Sequence, residues 1–104
     1  MKKTAILVVI SILVLAFAAV AQAEDAAAIY KAKCATCHGT TGAGDTGMGK
    51  TLKLRALGSA DVQKQTDDEL NTIISKGKAK MPAYAGKLSA DDVKGLVKFI
   101  RTLK

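Results

Sequence analysis

"CATCHGTTGAGDTGMGKTLK", residues 34–53, supports three incompatible readings. Cys34, Cys37 and His38 spell C-x-x-C-H, the pattern of covalent haem attachment. Gly42, Gly44 and Gly47 fit G-x-G-x-x-G, a dinucleotide-binding turn. Gly44, Gly49, Lys50 and Thr51 fit G-x-x-x-x-G-K-T, a phosphate loop. Both glycine motifs need a β-strand before them and a helix after them. What precedes them here is "EDAAAIYKAKCATCH", alanine-rich and nearly free of β-branched residues, which favours helix. A loop with glycines at 39, 42, 44, 47 and 49 matches glycine patterns by density alone.

The chain's first residues also argue against nucleotide chemistry. "MKK" is a basic start, Ala5 to Ala21 carries no charge, and "AQA" supplies small residues before the acidic Glu24. This is the layout of a secretory signal peptide, with cleavage expected after Ala23. An uncleaved membrane anchor is the rival reading, but the apolar run is short against the ~20 residues of a comfortable span. Export removes the chain from ATP and soluble NAD.

Residues 24–104 then form one domain. A chain this small buries little surface by itself and usually needs a staple. Two cysteines allow at most one disulfide, and a Cys34–Cys37 bridge closes too small a loop to constrain much. Two Cys and one His do not make a four-ligand zinc site. A dithiol redox pair would need a βαβ setting that is missing. A covalent haem fits, because an apolar plate gives a small chain something to fold around. C-x-x-C-H places two thiols for the two vinyl groups and aims the next residue, His38, at the iron. His38 is the chain's only histidine.

The rest of the chain reads as helices joined by long loops. The first helix should run through Cys34 and stop near Gly39, with Ala26, Ile29, Tyr30 and Lys33 along one stripe. An irregular loop is expected from Gly39 to about Arg55, then a short turn over 59–63. Thr66 and Glu69 form a capping box. Leu70, Ile73 and Ile74 follow as a buried face, and Gly77 is the stop. "KGKAKMPAYAGK" (76–87) is a loop. Ser89 caps the last helix, with Asp92 three residues on and Val93, Leu96, Val97, Ile100 and Leu103 at helical spacing. The fold class is all-α, with three main helices.

A haem iron has a sixth position. Met1 leaves with the signal, and Met48 is too near His38 to reach the opposite face. Met81 lies far enough along, and Pro82 keeps it extended. A core gap-filler or an open sixth position are the other readings of Met81.

"CATCHG", "KMPAY" and "LSADDVKGLVKFIRTL" together resemble a class I c-type cytochrome, small, soluble and single-haem. The resemblance covers residues 24–104 in order. It implies one haem c attached through Cys34 and Cys37, with His38 proximal and Met81 distal. It also implies that the first and last helices cross, with Tyr30 and Phe99 in contact. Two departures matter. This family often uses a proline carbonyl to accept the histidine N–H, but the only proline here is Pro82; Gly47 stands in the place for that role. There is no tryptophan, so Arg55, then Lys53, are the candidates for the haem propionates, with a purely solvent-facing role equally open to both.

Filled His/Met ligation favours electron transfer over catalysis. No nucleophile or acid–base pair accompanies the site, so the expected function is an electron shuttle and not an enzyme. The rival is a haem-based gas or ligand binder with a displaceable Met81; a small peroxidase is a weaker one. The sequence holds 16 basic and 9 acidic side chains, and only Lys2 and Lys3 leave with the signal, so the mature chain stays basic. Lys76, Lys78, Lys80 and Lys87 flank Met81, and Lys50 joins them. They would steer an acidic redox partner, or simply solvate the surface. The expectation is a periplasmic monomer without nucleic acid or stable membrane insertion.

Overall fold

The computed structural model describes residues 25–104; the segment read as a signal peptide, residues 1–23, lies outside them. Helices occupy Asp25–Ile29 (α1), Ala35–His38 (α2), Gly47–Thr51 (α3), Ala60–Gln63 (α4), Asp67–Lys76 (α5) and Ala90–Arg101 (α6). No strand occurs among the described residues. The all-α expectation holds.

The first helix is continuous but not uniform. Between α1 and α2 a π-helical turn spans Tyr30–Cys34. It is marked by the bond from Ala35 N–H to Tyr30 O, one residue longer than an α-helical bond. Gly39, at φ 83°, ends the run where expected.

Both capping boxes form. Thr66 accepts from Glu69 N–H and Glu69 from Thr66 N–H. Ser89 and Asp92 do the same at α6. Gly77, at φ 75°, closes α5. The expected turn near 59–63 is α4. One expectation needs correcting: the glycine-rich loop is not wholly irregular. It contains α3, a helix of five residues of which two are glycine. Propensity opposes that helix. Thr46 enables it by accepting from Gly49 N–H at 2.9 Å.

α1 crosses α6. A Cβ on Gly95 would lie 3.3 Å from the Ala26 Cβ, so glycine permits the close approach. Tyr30 and Phe99 stack beside the crossing, with centroids 4.8 Å apart and planes tilted by 41°. The core is Tyr30, Val62, Leu70, Ile74, Val93, Leu96, Val97 and Ile100. Ile73 and Leu103, expected in it, are half-buried. Burying each such aliphatic side chain contributes about 1.5–3 kcal/mol.

Arg101 fastens α6 to the segment before α5. Its guanidinium donates to Gln63 O (2.9 Å), Gln65 O (2.6 Å) and Asp67 Oδ1 (2.9 and 3.0 Å). Gln63 Nε2 donates in turn to Leu57 O (2.8 Å) and Ile100 O (3.0 Å). These bonds hold the 57–66 segment, a cavity wall, against the end of α6.

Candidate functional site

Two adjoining cavities, of about 430 and 480 Å³, share Cys34, His38, Leu54, Lys78, Ala79, Met81 and Tyr84 in their walls. They form one cleft with two lobes. The first lobe runs into the core against Leu70, Ile74, Leu96 and Ile100. Cys37 and Pro82 wall the second. Among the described residues, no carboxylate lines either lobe.

Each wall has a local cause. The helix ending at Gly39 brings Cys34, Cys37 and His38 to the cleft on consecutive turns. Leu54 and Arg55 follow Lys53, a non-glycine residue at φ 55°. The Met81 loop is pinned by paired bonds between Lys78 and Met81 (3.2 and 2.9 Å). It is also held by Tyr84 N–H to Ile74 O and Ala85 N–H to Ser75 O, both 3.0 Å. Tyr84 O–H reaches back to Lys33 O at 3.3 Å.

Burial raises the Cys34 thiol pKa, with Lys33 opposing more weakly. A redox-active thiol pair shows the opposite shift, which speaks against the dithiol reading. Burial also lowers the His38 pKa, favouring the neutral imidazole that binds metals. Tyr84 is raised by burial, then by the charges of Cys34 and Cys37. His38 Nδ1 is buried and has no hydrogen-bond partner among the described residues.

The structure thus gathers Cys34, His38, Met81, Lys53 and Arg55 around the first lobe, and Cys37 around the second. Lys53 and Arg55 are exposed at its mouth. Of the lysines expected here, Lys78 and Lys80 wall the cleft, while Lys50, Lys76 and Lys87 are exposed but line neither lobe. Lys87 instead lies over the Tyr84 ring, 5.8 Å from its centroid. Lys33, not anticipated, walls the second lobe. Met48 is 52% exposed and lines neither.

One expectation fails. Gly47 does not take the histidine N–H: its carbonyl accepts from Thr51 Oγ1 at 3.0 Å, and Nδ1 makes no hydrogen bond to it. Sequence reasoning also missed Thr46, whose hydroxyl donates to Cys37 O at 2.7 Å. It lies in the stretch quoted at the outset, but nothing local marks its partner.

Residues 21–100 match the family described as cytochrome C oxidase, cbb3-type, subunit III. Cytochrome c-553 of Helicobacter pylori strain J99 is 35% identical over 104 residues, covering 93% of this chain and 97% of that protein. The chain belongs to the c-type cytochromes. Cytochrome c6 of Microcystis aeruginosa is 34% identical over 76 residues, covering 73% of this cytochrome and 90% of the relative. The solved KustC0563 c-type cytochrome superposes with a TM-score of 0.70 at 32% identity, covering 75% of this chain and 95% of that one. The class I cytochrome fold and haem c as cofactor follow for this chain. An apolar cleft with two thiols, an imidazole and a thioether on its walls suits that group.

Proposed function

We infer that this cytochrome is an exported, soluble carrier of single electrons, with haem c attached at Cys34 and Cys37 and ligated by His38 and Met81. Bound haem supplies the one-electron couple. The chain's residues do the rest. His38, whose pKa burial lowers, offers a nitrogen. Met81, fixed in a pinned loop, offers sulfur, which favours the reduced state. The apolar first lobe excludes water and pushes the potential the same way. Arg55, with Lys53 beside it, would be the donor for the haem propionates.

The carrying observation is that Cys34, His38 and Met81 wall both lobes of a single apolar cleft. With His38 and Met81 both supplied by the chain, a bound iron would keep the same two protein ligands in either oxidation state. That suits a carrier and not an enzyme. Exposed Lys33, Lys78 and Lys80 around the second lobe suit a partner with an acidic docking surface. The periplasm is the proposed compartment, and residues 24–104 the mature domain.

The test uses chain matured in a host able to attach haem. Colour should survive acid acetone, and the ferric protein should show the weak red band of sulfur–iron bonding. The ferrous protein should resist carbon monoxide. Met81→Ala should abolish the band, lower the potential and admit carbon monoxide. Rapid carbon monoxide binding by the unaltered protein would favour the gas-binding reading, and an unchanged band in the variant would remove Met81 from the ligand set.

A further inference from the structure

The second lobe has Lys33, Cys34 and Cys37 on one wall and residues 78–84 on another. One hydrogen bond joins the two walls. Tyr84 O–H donates to Lys33 O at 3.3 Å, across 51 residues of sequence. Among the described residues, no other hydrogen bond links residues 77–88 to the helix that ends at His38. The acceptor belongs to the π-helical turn Tyr30–Cys34, a kind of turn often found at functional sites.

The methionine loop is held unequally. Toward α5 it has two main-chain bonds, from Tyr84 N–H to Ile74 O and from Ala85 N–H to Ser75 O. Its own turn is closed by the paired bonds between Lys78 and Met81. That same turn holds Ala79 at φ 52°, where a residue with a Cβ is strained. Pro82 has no N–H to contribute. We propose that Tyr84 is a positioning residue for Met81: its hydroxyl latches the methionine loop to the helix that carries Cys34 and so keeps the thioether at the cleft. This rests on the reading of Met81 as an iron ligand.

Tyr84 is itself fixed. Its carbonyl accepts from Lys87 N–H and Leu88 N–H, both at 3.0 Å. Its ring walls both lobes, with the Lys87 ammonium 5.8 Å from the centroid. Main chain and ring together aim the hydroxyl at the opposite wall. Tyr84 follows Met81 by three residues and Ala79 precedes it by two, so the ligand sits between a latch and a strained point. Opening the loop releases the strain at Ala79, and the latch opposes that release. A bare aromatic ring would fill the same space, but only the hydroxyl reaches Lys33. Phenylalanine at this position therefore keeps the packing and loses the latch.

The test compares the haem-loaded protein, unaltered, with its Tyr84→Phe variant. In the ferrous state carbon monoxide replaces Met81 only when the loop opens, so its binding rate reads the latch. Tyr84→Phe should raise that rate about two- to threefold, the weak end of one hydrogen bond's net effect. Amide hydrogen exchange gives a second readout that does not involve the iron: the Met81 and Tyr84 amides should exchange faster by a similar factor. A carbon monoxide rate equal to the parent's overturns the proposal, as do loop amides that keep the parent's exchange rate. A lower guanidinium midpoint with both readouts unmoved would mark a merely structural role and overturn it too. If the unaltered protein lacks the red band, or binds carbon monoxide at once, the ligand reading has failed and this proposal falls with it. A red band in the parent with an unresponsive variant sinks the proposal alone.

Discussion

Gly77 sits directly against Met81. A Cβ on Gly77 would lie 2.6 Å from Met81 O, and 3.0 Å from both Pro82 C and Ala83 N. Gly77 also adopts φ 75°, a region where only glycine is comfortable. The residue that stops α5 is therefore the one that lets the methionine loop fold back on the helix end. Gly77→Ala meets two penalties, backbone strain and contact with a loop held by its own paired bonds. It should cost at least about 1 kcal/mol and displace Met81. The ferric red band should weaken and carbon monoxide binding should quicken, while far-ultraviolet circular dichroism stays close to the parent's.

Arg101 offers a contrast between two kinds of partner. The carbonyls of Gln63 and Gln65 are part-buried, whereas the Asp67 side chain is 74% exposed. Arg101→Met leaves both carbonyls short of a charged donor. Denaturant melts should show a loss of about 1.5–3 kcal/mol. Asp67→Asn removes only a screened ion pair and should cost under about 1 kcal/mol, less still at high salt. Equal losses from the two variants would mean that the ion pair, not the carbonyl clasp, holds the segment.

These two residues show what a sequence can and cannot display. Gly77 is legible because helix stops are local: the apolar stripe ends, and a residue tolerant of positive φ follows. Thr66 with Glu69 and Ser89 with Asp92 are legible for the same reason, since each capping box closes within four residues. The convergence of Cys34, Cys37, His38 and Met81 on one cleft is open to the same kind of reading, because a haem c site would call for those residue types. Arg101 is not. Its acceptors are main-chain carbonyls 36 and 38 residues away, and every residue but proline has the same carbonyl and amide. Thr46 on Cys37 O is hidden likewise. The π-helical turn at Tyr30–Cys34 depends on one shifted bond that no side chain announces. Helix α3 runs against its own glycines, held by the Thr46 cap and by its fit against Cys37 and Gly44.

Charge around the second lobe is one-sided. Lys33, Lys78 and Lys80 stand at its wall with no carboxylate among them, while Asp67, Asp68 and Glu69 gather at the start of α5. Electron transfer to an acidic partner should therefore slow as ionic strength rises. Lys78→Glu combined with Lys80→Glu should slow it further at low salt, flatten the salt dependence and leave the potential nearly unchanged. Stopped-flow rates between low and physiological salt test this. A parent rate indifferent to salt would dismiss the lysine face as a docking surface.

Tyr30 gives the chain an alkaline limit. Burial, and secondarily a Cys34 thiolate, push its pKa up to about 12 from 10.0. With haem attached at Cys34 as proposed, that residue would be a thioether and burial alone would remain. Between the unfolded and folded values the native state keeps a proton that the unfolded chain has lost. Native protein then binds more protons than unfolded protein, and stability falls as pH rises. It is fully present below about pH 10 and declines toward pH 12. Ionisation also removes the hydroxyl proton given to Gly39 O. Guanidinium melts of the reduced haem protein should lose up to about 1.4 kcal/mol per pH unit across that window from this residue. Tyr30→Phe should start less stable at pH 8, lacking the Gly39 bond, yet decline less steeply above pH 10, so that the two stability curves converge. Parallel curves would show that other groups set the alkaline limit.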